Sequence, residues 1–304
     1  MDLPPWFDRF MSPLADRSSV IAGALGAAGV RHRALELSGG RFVVAWPRGG
    51  SRDPRYRVKV VTAHHDRVPG TPGALDNSAA CLQLVGFLSS GQGAFNTLVV
   101  FTDREELGSP AFLAESATPS DQGSYALGRA FLGASAEGRF PEAMGLRSSM
   151  VFPLDVSGRG DALVLSRATE RLARRNDGGR RGGASESMVA ETDAMARTVE
   201  RMMAGRAPVI RASVPFGEDL GFMLAGLPAL TVTVLPRAEA EALARPGDLP
   251  AWASPSEPGS RTPETWRRIH GPDDTPALYT DDAFDLVSRF LRRLAALRVP
   301  ASVA

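Results

Sequence analysis

The stretch Arg57-Val58-Lys59-Val60-Val61-Thr62-Ala63-His64-His65-Asp66 decides how the rest of the chain is read. Its apolar, β-branched centre is continuous rather than alternating, the pattern of a strand buried on both faces of a parallel sheet. Similar runs recur at Thr97 to Phe101 (TLVVF), Met150 to Leu154 (MVFPL) and Ala229 to Leu235 (ALTVTVL). Helical stretches fall between them, at Asn77 to Leu88, Ser187 to Met203 and Thr280 to Leu297. The last places Phe284, Val287, Phe290, Leu291, Leu294 and Leu297 at three- and four-residue spacing, with Thr280 as N-cap. Arg33 to Glu36 and Arg41 to Trp46 flank Gly39-Gly40 and read as a hairpin. The expectation is one α/β domain over residues 1–304, a three-layer α/β/α arrangement around a mostly parallel, mixed sheet with an antiparallel edge. Long loops are expected at about 115–149, 174–187 and 246–262, the last two rich in Gly, Ser, Arg or Pro.

Composition removes several function classes. The 304 residues carry 35 basic and 34 acidic side chains, a net charge of +1, so no global field favours nucleic acid or an anionic membrane. The single Cys81 permits no internal disulfide, CxxC pair or thiolate zinc cluster. Lys59 is the only lysine and is followed by Val60, so there is no P-loop; GxSxG and GxGxxG are also missing. Asp2, Asp8 and Asp16 precede a short apolar run that begins at Val20, the wrong order for a signal peptide and too short for a bilayer span. A cytoplasmic protein is expected.

Acidic and histidine residues cluster where the strands end, which is where open α/β sheets place their ligands. His64-His65-Asp66 follows the first strand, Asp103-Arg104-Glu105-Glu106 the second, and Asp155 the third. Gly73-Ala74-Leu75-Asp76-Asn77 leads into a helix, and Trp266-Arg267-Arg268-Ile269-His270 precedes the C-terminal one. Singly, each has a bland reading: a surface His-x-Asp, a solvated Glu pair, Asp76 as a helix cap, His270 packed beside Trp266. His32 has no acidic neighbour and is left to packing. Together, two histidines and three carboxylates suit two zinc ions if one carboxylate bridges them. Asp66 can then accept from the second ring nitrogen of His64, while His65 points away.

In order along most of its length the chain resembles the co-catalytic zinc aminopeptidases. The residues carrying the resemblance are His64-His65-Asp66, Gly73 to Asn77, Glu105-Glu106-Leu107-Gly108-Ser109, Asp155, Ala225-Gly226-Leu227-Pro228-Ala229, and Ile269-His270 with Asp274-Thr275. The resemblance implies a zinc exopeptidase-like fold and two zincs, one completed by His64 and Asp155, the other by Glu106 and His270, with Asp76 bridging. It also implies that Glu105 serves as general base and that a peptide or aminoacyl substrate loses its N-terminal residue. Three stretches depart from the family pattern, one of them the long segment from Glu115 to Ser149 between the Glu pair and Asp155. Asp76-Asn77-Ser78-Ala79-Ala80-Cys81 lacks the usual Ser-Gly, and Gly217-Glu218-Asp219-Leu220-Gly221-Phe222 lacks the usual Ser-Asp-His.

Three other readings compete. Glutaminyl-peptide cyclotransferases resemble the peptidases but use one zinc, and Cys81 with Glu218-Asp219 is similar to that branch. A catalytically inactive metal-binding relic would have no need of Glu105. A thiol enzyme would require reactivity from Cys81, which lies in the apolar run Ala79-Ala80-Cys81-Leu82, where packing is expected.

Overall fold

Val60 and Val61 are adjacent and fully buried, yet they belong to different hydrophobic cores. That alternation is what a strand does when helices cover both faces of its sheet. The computed structural model describes residues 2–106, 119–137, 146–170, 185–215, 217–245 and 262–301. Its strands are β1 (Arg31–Leu37), β2 (Gly40–Trp46), β3 (Lys59–His64), β4 (Thr97–Thr102), β5 (Met150–Pro153), β6 (Ala162–Ser166), β7 (Val209–Ala212) and β8 (Val232–Leu235). Its helices are α1 (Pro5–Met11), α2 (Arg17–Ala27), α3 (Ala79–Ser89), α4 (Gly123–Glu137), α5 (Glu186–Met203), α6 (Glu218–Ala225), α7 (Arg237–Ala244), α8 (Glu264–Arg268) and α9 (Asp281–Ala296).

Five strands form one sheet in the order β1-β2-β4-β3-β5, and three form another in the order β7-β6-β8. Parallel bridges from Val151 to Ala229 and from Leu154 to Val232 join β5 to the β8 segment, so the two sheets run edge to edge. β3 lies parallel to both β4 and β5, and β1–β2 is the antiparallel hairpin. The pairing of β6 with β8 is also antiparallel, so antiparallel strands flank the parallel centre on both sides, not at one edge. Helices α1, α2, α3, α5 and α9 pack on one face through Phe7, Ile21, Leu84, Val199 and Phe290. Helices α4 and α6 cover the opposite face through Leu127, Phe131 and Phe222, with α7 and α8 beside them over β6–β8. The mixed three-layer α/β fold is therefore as expected.

Several expectations need correction. The segment 115–149 was expected as loop, but it holds α4, whose Gly128 lies so close to α6 that a Cβ there would meet the Ala225 side chain at 2.7 Å. Ser185 caps α5 by accepting the Met188 N–H at 3.2 Å, so residues 186 and 187 are helix rather than loop. The parts of the expected loops at 115–118, 138–145, 174–184 and 246–261, with Leu107-Gly108-Ser109, lie outside the described residues. The first strand begins at Lys59, not Arg57, and runs on to His64. Thr280 stands at the N-cap position of α9, but its hydroxyl accepts the Gly160 N–H at 3.0 Å instead of capping its own helix. Strands β6 and β7 were not expected from the sequence. Among the described residues no helix is long and apolar enough to cross a membrane.

Candidate metal centre

The parallel centre of the sheet points the carboxyl ends of β3, β4 and β5 to one side, and each delivers a polar residue there. His64 is the last residue of β3; Glu105 and Glu106 follow β4, and Asp155 follows β5. Asp76 comes from a π-helical turn, Ala74–Ser78, which precedes α3, and the Asp76–Asn77 peptide is cis. This turn replaces the expected first turn of helix, and Asp76 is not a helix cap. His270 follows α8.

These side chains meet. His64 Nε2 lies 3.0 Å from Asp76 Oδ1 and 3.6 Å from Asp155 Oδ1. His270 Nε2 lies 2.9 Å from Asp76 Oδ2 and 3.5 Å from Glu106 Oε2. Donor atoms of His64, Asp76 and Glu106 all fall within 4.8 Å of one another, the spacing of a metal-ligand group. Glu105 is placed by Gly217: a Cβ built there would lie 3.0 Å from Asp155 Oδ2 and 3.7 Å from Glu105 Oε1, so both acids face that glycine. Asp66 Oδ1 is 3.5 Å from His64 Nδ1, and the hydrogen bond expected between them is not formed, both atoms being buried without a partner; Asp66 Oδ2 accepts the Glu106 N–H at 3.0 Å. His65 turns the other way, with Nε2 2.7 Å from the Arg41 carbonyl.

Backbone strain gathers at the same place. Arg104, Val156 and His270 have φ of 66°, 48° and 59°, left-handed values that non-glycine residues seldom adopt, and they are next to Glu105, next to Asp155 and a proposed ligand itself. Such strain persists only where surrounding structure imposes it, and it concentrates at functional sites.

The electrostatics call for a cation. Burial and the neighbouring charges of Asp76 and Glu105 push Glu106 up to about 11. Burial raises Glu105 well above the usual glutamate range, and Asp155 and Asp76 raise it further against the pull of His64. Burial alone would lower His64 and His270, yet their carboxylate neighbours raise both. Buried His64 Nε2, Glu106 Oε1 and Asp155 Oδ1 have no hydrogen-bond partner, an arrangement that costs free energy unless something else satisfies them. Imidazole nitrogen with carboxylate oxygen is the donor set of zinc, and the residues fit such an ion.

Supporting residues surround the site; the sequence marks Asp274 and Glu218 without assigning them this role and gives no sign of Arg17. Asp274 is fully buried; its carboxylate accepts the N–H of Leu75 at 2.6 Å and of Asp76 at 3.3 Å, clamping the turn that carries Asp76. Glu218, at the start of α6, is buried and accepts hydroxyl hydrogen bonds from Thr62 at 2.9 Å and from Thr102, the strand residues just ahead of the ligands. Burial pushes its carboxyl up to about 7. Arg17, on α2, reaches the turn from behind and donates to the Ser78 hydroxyl. Asp274 had a signal, since the sequence reading had already marked Asp274-Thr275; Glu218 and Arg17 act across contacts that no local pattern encodes. Cys81 is buried and its thiol is raised to about 12 by burial, so it is the packed, unreactive cysteine expected of it.

Comparison with known proteins bears on the fold and the family. A glutaminyl cyclase from Bacteroides thetaiotaomicron, solved with N-acetylhistamine, is similar at TM-score 0.58 and 15% identity over 95% of this chain and 94% of that one. A leucine aminopeptidase precursor from the same organism is similar at 0.57 and 15%, over 95% and 93%. LapA of Legionella pneumophila reaches 0.57 at 12%, over 96% of this chain and 70% of that one. At these identities the likeness concerns the fold. A search of curated proteins finds no match. Residues 43–295 do match a family model, and that span contains every residue of the proposed centre from His64 to His270; the chain belongs to peptidase family M28.

Proposed function

We propose that the chain is a zinc-dependent aminopeptidase that removes the N-terminal residue of peptides. The observation carrying this reading is Asp76, whose two carboxylate oxygens face different histidines at 3.0 and 2.9 Å. Each histidine has a further carboxylate beside it, Asp155 at 3.6 Å and Glu106 at 3.5 Å. The donors divide into two sets that share one residue, which suits a pair of zinc ions. When bound, the pair would supply Lewis acidity, making a water acidic and polarising the scissile carbonyl.

The remaining roles fall to the protein. Glu105 is half-buried beside Asp155 and is spare to both donor sets, so it serves as general base and then returns its proton to the leaving nitrogen. Asp66 orients the imidazole of His64 from the far side of the ring. A cytoplasmic location and a peptide or aminoacyl partner belong to the same proposal.

The deciding experiment is metal analysis of the purified protein together with a panel of aminoacyl and glutaminyl amides. Two zincs per chain and release of free amino acids are expected. One zinc with cyclisation of glutaminyl substrates would replace the reading with a glutaminyl cyclotransferase, and metal without turnover of either substrate would replace it with a binding protein.

A further inference from the structure

Helices α1 and α2 precede the residues matched by the family model, which begins at residue 43, yet α2 sends a side chain to the back of the metal centre. Among the described residues Arg17 is the one buried arginine, with 6% of its surface exposed. Its guanidinium lies over the ring of Phe10 at 3.9 Å, donates to the Ser78 hydroxyl and reaches the Asp66 carbonyl at 3.4 Å. Ser78 in turn donates to the Gly73 carbonyl at 2.5 Å, closing the π turn that presents Asp76. Arg17 thus spans the two pieces of chain that carry Asp66 and Asp76. The tie is reciprocal: Arg67, next to Asp66, donates to the Met11 carbonyl at 3.1 Å and to the Ser12 carbonyl at 2.7 Å at the end of α1.

A buried guanidinium is costly to desolvate, and burial lowers Arg17 to about 10. Its acceptors here are a neutral hydroxyl and a carbonyl, with no carboxylate against it. Of the acids around the centre, Asp66 is the one whose charge favours the guanidinium.

We infer that Arg17 is a positioning residue of the metal centre, holding the Asp66 loop and the Asp76 turn in register so that the N-terminal helix pair is part of the site. The inference rests on the zinc-binding half of the function proposed above. Loss of a residue that orients ligands typically weakens metal affinity about 10- to 100-fold. Zinc affinity of Arg17→Met, measured by competition with a chromophoric chelator, should fall by at least about tenfold. Its unfolding midpoint in excess chelator should stay near that of the parent, because the aliphatic stem and Phe10 still pack.

Arg17→Lys, which keeps one donor and the charge, should recover part of the affinity. Should Arg17→Met fail to fold, Ser78→Ala removes the acceptor instead and should weaken zinc in the same direction. Parent-like zinc affinity in Arg17→Met, or in Ser78→Ala where Arg17→Met does not fold, overturns the inference and leaves Arg17 a packing residue. The parent measured alongside separates the two readings. A parent that binds zinc without cleaving aminoacyl amides sinks the peptidase reading and leaves the Arg17 result standing. A parent that binds no zinc sinks both.

Discussion

At the scale of single residues, the proposed function separates groups that would hold metal from one that would move protons. Glu105 faces Gly217 beside Asp155: a Cβ built at Gly217 would lie 3.7 Å from Glu105 Oε1 and 3.0 Å from Asp155 Oδ2. Glu105→Gln should therefore abolish turnover, with at least about a hundredfold loss of kcat, while bound zinc stays at the parent stoichiometry. Equal loss of metal would make Glu105 a ligand. His270 makes the opposite case, because its ring faces both Asp76 and Glu106. His270→Ala should lower zinc content and activity together, read by metal analysis of the dialysed variant. Glu218 carries a pH effect of its own. Its carboxyl rises from an ordinary 4.5 to about 7 in the fold, so the folded protein holds that proton more tightly than the unfolded chain does. The associated stability is present below pH 4.5 and is lost as pH rises towards about 7, on the order of 3 kcal/mol at most. Glu218→Gln should flatten that part of the stability profile in chelator-treated protein, measured by denaturant unfolding across the range.

At the scale of elements, legibility followed burial pattern. The central strands β3, β4, β5 and β8 are runs of apolar residues long enough to be read directly, and α9 shows one apolar face at helical spacing. Strand β7 has only the half-buried Val209–Ala212, too short for periodicity to separate strand from helix or turn, whereas β6, the buried apolar run Ala162–Ser166, is no shorter than β5 and was overlooked without such a reason. The antiparallel pairing of β6 with β8 depends on partners some seventy residues apart, as in Leu163 with Val234, which no local pattern reveals. Helix α4 was missed because its sequence, GSYALGRAFLGASAE, contains three glycines that argue against a helix. Its Gly128 is instead explained by tertiary contact, where the helix runs close to α6. The best-read element should also be among the most costly to damage. Phe290 of α9 is fully buried and meets Phe152 of β5 edge to face, with ring centroids 6.4 Å apart. Phe290→Ala should cost about 3–5 kcal/mol of unfolding free energy, seen as a lower denaturant midpoint with little change in slope. A loss below about 1 kcal/mol would mean that α9 is not seated on the sheet as described.

At the scale of the whole molecule, several of the proposed ligands stand at strand ends, where a sequence shows them, whereas the contacts that hold them in place appear only in the fold. His64, Asp155 and the Glu105-Glu106 pair each follow an apolar run, and the topology then gathers them at one side of the sheet. Asp274, Glu218 and Arg17 reach the same place from α2, α6 and the segment ahead of α9, through contacts that exist only after folding. Metal binding should consequently be felt through protonation across the assembled cluster. Glu106 is raised to about 11, and Glu105, His64 and His270 are all raised, so at neutral pH the cluster holds protons. Zinc needs Glu106 as carboxylate and both imidazoles neutral, so its binding must expel protons, and its affinity must rise with pH. Calorimetric titration of zinc into metal-depleted protein at pH 7, in two buffers of different ionisation enthalpy, should show release of at least about one proton per chain. The same titration at pH 6 should give weaker binding, because more of the ligands are then held by protons. A buffer-independent enthalpy would mean that zinc meets ligands already deprotonated, a result incompatible with the crowded, buried acids on which the metal centre is built.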